Sequence, residues 1–161
     1  MGRVAANVLE ESSVGMILTQ GDPTSNLDNS LAGVDFRYVN SSFAGGRSLQ
    51  GDAWLQKSDT ENLVGDDAAF GLGLRIPGNT GLRGELGLTR IERNFNPALG
   101  FVRRRGIEEL ELKLGNTWRP RGSALRTIFS GVDADRIDYL DDGSVQSQTI
   151  SLQALNVELN S

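Results

Sequence analysis

The chain has 161 residues and a formal net charge of −5, with neither cysteine nor histidine. Disulfides, thiol nucleophiles and Cys-zinc sites are therefore excluded, and the commonest general base and transition-metal ligand are missing. The acidic balance also argues against nucleic acid as a partner, since binding phosphates needs concentrated Lys and Arg.

Along the chain the dominant signal has period two, which places alternate side chains on opposite faces of a strand. Residues 1–7 lack the apolar core of a signal peptide and read as a strand already running at about 3–9. A second weak strand follows at about 13–20. Residues 31–40 set Val34, Phe36 and Tyr38 against Gly33, Asp35 and Arg37, and a weaker strand covers about 47–58. Residues 68–76 set Ala68, Phe70, Leu72, Leu74 and Ile76 against Ala69, Gly71, Gly73 and Arg75. Residues 82–89 set Leu82, Leu86 and Leu88 against Arg83, Glu85, Gly87 and Thr89. Residues 109–118 set Leu110, Leu112, Leu114 and Trp118 against Glu109, Glu111, Lys113 and Thr117. Weaker strands fill about 123–139 and 144–160. In the last, Ile150, Leu152 and Ala154 share one parity while Leu155, Val157 and Leu159 share the other, which points to a bulge near Ala154 or to two strands.

The expected fold is all-β, an antiparallel up-and-down meander of about eight strands. Connections at 10–12, 41–47, 77–81 and 120–122 are short, and those at 21–30, 59–66 and 92–106 are longer. They alternate as the two rims of a barrel do; the tight turn at 141–144 breaks the pattern. The 20 glycines suit bends, bulges and close backbone approach.

A strand with one apolar and one charged face has two solutions. A soluble sheet buries the apolar face against a second layer. A membrane barrel turns it to lipid and keeps Arg37, Arg75, Arg83, Glu85, Glu109 and Glu111 in a wet lumen. No run of about 18 apolar residues exists to form a membrane helix, and that leaves a barrel open. Aromatic residues make up 6%, thin for full interfacial girdles, although Trp54, Trp118, Phe43 and Tyr139 fall near predicted strand ends.

The segment Asn94-Phe95-Asn96-Pro97-Ala98-Leu99-Gly100-Phe101-Val102-Arg103-Arg104 favours the membrane. It resembles a loop in a family of uncharacterised outer-membrane β-barrels of Gram-negative bacteria, in which a family-9 carbohydrate-binding-like domain precedes the barrel. The stretch Arg3 to Met16, running through Glu11-Ser12-Ser13-Val14-Gly15, and the strand Gly33-Val34-Asp35-Phe36 are similar to that family as well. The resemblance implies a single domain over 1–161, a partial barrel cut at both ends, in the bacterial outer membrane. The lipid bilayer is then its partner and carbohydrate-related ligands its expected class, with no cofactor. The family brings no established reaction. The final residues, Val157 to Ser161, lack the terminal aromatic of completed outer-membrane barrels.

Within the motif, Pro97 fixes one backbone angle, Gly100 permits positive φ, and Asn94 and Asn96 suit backbone hydrogen bonding. The simplest expectation is an ordered loop anchored by Phe95 and Phe101. The functional one is a constriction or ligand platform, with Arg103, Arg104 and Arg105 supplying positive field. Asp133, Asp135, Asp138, Asp141 and Asp142 concentrate carboxylates without the spacing of a calcium loop, so a solvated rim and no metal are expected. Glu85, Glu109 and Glu111 as a glycosidase acid and base would need separations of roughly 5–10 Å that sequence spacing cannot set. No catalytic constellation is visible, and an enzyme is not expected. A soluble β-sandwich binding module and a carboxylate-dependent glycoside hydrolase stand as the alternatives.

Overall fold

The computed structural model describes residues 1–25, 27–122 and 124–159. Nine strands run in chain order: β1 (Gly2–Val8), β2 (Ser12–Gln20), β3 (Asn29–Phe43), β4 (Arg47–Thr60), β5 (Ala68–Ile76), β6 (Gly81–Ile91), β7 (Ile107–Trp118), β8 (Leu125–Tyr139) and β9 (Val145–Leu159). Each pairs antiparallel with the next, giving one open sheet in the order β1 to β9. The all-β meander is present as expected. Its nine strands correspond one to one with the nine segments read from the sequence, one more than the expected total of about eight. The predicted strand ends at Ser123 and Asn160 lie outside the described residues.

Connections alternate between the two ends of the sheet. Turns 9–11, 44–46, 77–80 and 119–124 lie at one end; loops 21–28, 61–67, 92–106 and the tight 140–144 lie at the other. The turn at 44–46 is closed by Gly45 and Gly46 at φ of 79° and 78°, a left-handed conformation that glycine adopts without steric cost.

The parity slip in β9 is a bulge. Phe129 pairs with Asn156 and Gly131 with Gln153, so Ser130 alone faces both Ala154 and Leu155. One extra residue moves Val157 back to the face carrying Ile150 and Leu152, where it opposes Ile128.

Register sorts the side chains into two faces. Val34, Leu55 and Phe70 share one row, and Phe36, Ala53, Leu72, Leu88 and Leu110 share the next. No second layer covers this apolar face among the described residues: Leu72 remains 54% exposed and Leu152 76%. The small buried cluster lies on the other, polar face, where Leu31, Ala69 and Phe95 meet beside Ile17, Trp54, Ile91 and Val102. Phe95 comes from the loop 92–106, so that loop folds back over the polar side of the sheet.

Candidate functional site

The polar face gathers all six charged residues marked as lumen candidates. Arg75 pairs with Glu85 directly across β5 and β6, at 2.6 Å between Nη2 and Oε1. Glu85 opposes Lys113, which opposes Asp133, so charge alternates along this row from β5 to β8. Glu111 lies in the next row with Asp135 opposite and forms an ion pair with Lys113. Glu109 is one row further, opposite Thr89 and Ile137. Arg37 opposes Asp52. Arg83 stacks over the Phe129 ring, 4.5 Å from its centroid. Asp133 and Asp135 share this face, whereas Asp138 points to the other and bonds Arg136 at 2.8 Å. Among the described residues no three carboxylates converge on a point that could hold a metal.

Several glycines here make room for large neighbours. A Cβ on Gly71 would overlap the Trp54 indole, and one on Gly131 would come within 2.7 Å of the Phe129 ring. Large side chains thus lie flat along the sheet over residues that have none, which thins the layer of atoms on this face. Two expectations about aromatic residues at strand ends fail on strand register. By register Trp54 and Tyr139 belong to the polar face, while Trp118 lies on the apolar face with Leu110, Leu112 and Leu114.

The loop motif is held at its first half. Phe95 is 2% exposed within the cluster on the polar face. The Asn94 side chain donates to the Gly65 carbonyl at 2.8 Å, and its backbone N–H donates to the Asp66 carbonyl at 2.7 Å. The Asn96 N–H donates to Ser58 Oγ at 2.9 Å, and Asn29 Nδ2 donates to the Asn96 carbonyl at 3.0 Å. Gly100 N–H closes a turn onto the Pro97 carbonyl at 2.7 Å, and Arg105 reaches Asn96 Oδ1 at 3.0 Å. Arg93 pairs with Asp141 on the neighbouring loop. The expected second anchor is absent: Phe101 is 88% exposed and Arg103 and Arg104 are exposed beside it. Beyond the turn at Gly100, Val102 packs against the buried cluster while Phe101, Arg103 and Arg104 point away from it.

Sequence reasoning missed the receiving side of this latch. Asn29, Ser58 and Thr60 are buried polar residues at the ends of β3 and β4, and Asn29 Nδ2 also donates to Thr60 Oγ1 at 2.7 Å. Period two puts Ser58 and Thr60 on the polar face, but no local signal says that a loop many residues away lands on them.

The apolar face has a slanted border. Leu18 and Ala32 are apolar in a row that becomes Lys57 on β4. Val34, Leu55 and Phe70 are apolar in the row that becomes Arg90 on β6 and Glu108 on β7. Leu72, Leu88 and Leu110 form the row that becomes Arg136 on β8. The border therefore climbs one row, about 7 Å along a strand, for every two strands, about 9.6 Å across. That slope is about 35°. The opposite border rises in the same sense, from Tyr38 on β3 through Ile76 on β5 to Trp118 on β7, interrupted by the facing pair Asn116 and Ser130. On β5 the apolar stretch from Ala68 to Ile76 spans about 27 Å along the strand, or about 22 Å measured across the belt.

Compared with known family models, with curated proteins and with solved structures, the chain matches none.

Proposed function

We propose that this chain forms part of the wall of a β-barrel in a bacterial outer membrane, with its apolar face in lipid and its polar face lining a water-filled interior. The slanted apolar belt carries the proposal. Barrel strands tilt about 35–45° from the axis, so a flat bilayer must cut them along a line inclined to their register. A slope of about 35° and a belt about 22 Å tall meet both that tilt and the roughly 25 Å apolar band of such barrels. A soluble sheet needs a second layer over these side chains, and no described element supplies one. The glycosidase alternative has in Glu85 a carboxylate that is ion-paired with Arg75.

In this reading the loop 92–106 is an inward constriction that narrows the interior near one rim, and passage or binding of small polar solutes, carbohydrate-related ones included, is the activity. The reading of the Asn94–Arg104 motif as similar to a loop of outer-membrane barrels agrees with this proposal.

The test is a pair of substitutions in protein assembled in lipid vesicles. Leu72→Arg, at the middle of the belt, should weaken folding into the bilayer by about 2–4 kcal/mol. Thr89→Arg, on the polar face, should cost far less. Equal effects would remove the lipid assignment.

A further inference from the structure

We propose that the groove between the loop 92–106 and the polar face of β2 to β5 binds a small amphipathic anion with a flat aromatic body. The proposal deepens the function above and rests on its assignment of the polar face to water. The groove has a volume of about 670 Å³, a size typical of small-molecule sites. Its floor includes Ile17, Leu31 and Trp54, and Phe95 and Phe101 contribute from the loop. These apolar side chains stand on a face otherwise rich in charged and small residues. Leu31 and Phe95 are already buried, but Ile17 and Trp54 are only partly covered and Phe101 is exposed, and apolar surface left open in a concave, wet setting gains from a ligand that removes it from water.

The shape of the ligand follows from Trp54. Its ring covers Gly71 so closely that a Cβ there would overlap it, and the partly exposed indole is also part of the groove lining. A flat ring stacks well against such a surface.

The charge of the ligand follows from Arg103. The charged residues lining the groove are Arg3, Asp35 and Arg103. Arg3 and Asp35 pair with each other at 3.4 Å, passing over Gly15 on the intervening strand. Arg103 has no hydrogen-bond or ion-pair partner among the described residues. Its guanidinium presents a planar fork suited to a carboxylate or sulfonate.

Tryptophan fluorescence tests this directly. The chain has two tryptophans, so Trp118→Phe leaves Trp54 as the single indole. In that background, 4-nitrobenzoate, a flat anion that quenches indole emission, should quench Trp54 saturably. Arg103→Gln should weaken this binding about tenfold, and the cation 4-nitrobenzylamine should bind at least about tenfold more weakly than the anion. The variant's emission without ligand must match its parent, which shows that the fold is intact. Quenching that rises linearly without saturation, or equal binding of anion and cation, overturns the proposal. So does an Arg103→Gln affinity equal to that of the parent. If 4-nitrobenzoate binds as expected while Leu72→Arg is harmless in vesicles, the groove stands and the lipid assignment falls; the reverse results remove the groove alone.

Discussion

Ser58 Oγ accepts the Asn96 backbone N–H at 2.9 Å while Ser58 itself is 0% exposed, and this contact fixes the loop 92–106 to the sheet. The same hydroxyl donates to the Asp67 carbonyl at 3.2 Å. Ser58→Ala leaves the Asn96 N–H without its acceptor, at a cost of about 1–3 kcal/mol. Trypsin should then cut faster after Arg103, Arg104 and Arg105, with the strands unaffected. An unchanged cleavage rate would show that the loop is held by other means.

The two phenylalanines of the motif should behave oppositely. Phe95→Ala empties a site that is 2% exposed and should destabilise the folded protein by about 3 kcal/mol, the low end for a fully buried ring. Phe101 is 88% exposed, so Phe101→Ala should stay within about 0.5 kcal/mol. Denaturant titration compares them, and equal losses would contradict the loop's asymmetry.

Glycine substitutions should separate shielded positions from open ones. Gly71→Ala drives a methyl group into the Trp54 ring and should cost about 1–3 kcal/mol while shifting Trp54 emission. Gly87 lies two residues from Thr89 on the same face, yet its nearest Cβ neighbour would be 3.6 Å away, an ordinary contact. Gly87→Ala should therefore be neutral or gain about 0.5–1 kcal/mol, since glycine within a strand is entropically unfavourable. The reverse order would mean that Trp54 does not rest on the sheet.

Strong acid should loosen the loop between β2 and β3. Asp22 is held at about 2, against an ordinary 3.8, chiefly by the Ser25 hydroxyl and then by the Thr24 backbone N–H and hydroxyl. A depressed carboxylate stabilises the fold above its unfolded value and loses that contribution as pH falls through the folded one. The turn at 22–25 should thus loosen between about pH 4 and pH 2. Ser25→Ala removes the largest cause and should raise the Asp22 midpoint, read by carboxyl chemical shift; an unmoved midpoint would assign the effect elsewhere.

What the sequence reveals and hides divides along the range of the interactions. Alternation is local, so Ala68–Ile76 is read residue for residue, and even the bulge at Ala154 and Leu155 shows as a change of parity. All six lumen-candidate charges fall on one face for the same reason. The latch of Asn29 and Ser58 onto Asn96, the inward turn of Trp54 and the exposure of Phe101 depend on where a loop lands. That is settled by contacts distant in sequence, which periodicity does not record. The slanted belt sits between these cases: each strand's border is legible alone, but the slope emerges only once register aligns Lys57, Arg90 and Arg136.

The most direct test of the lipid-facing assignment is a nitroxide scan of β5 to β8 in bilayers, made simple by the absence of native cysteine. Probes at Leu72, Leu74, Leu110 and Leu112 should be reached by oxygen and shielded from a water-soluble nickel chelate, with the order reversed at Gly73, Arg75, Glu109 and Glu111. The crossover on the belt face should fall at Arg90 on β6 and one row higher, at Arg136, on β8. Nickel access that is equal on both faces, or a border that follows the register rows without climbing, would contradict the account.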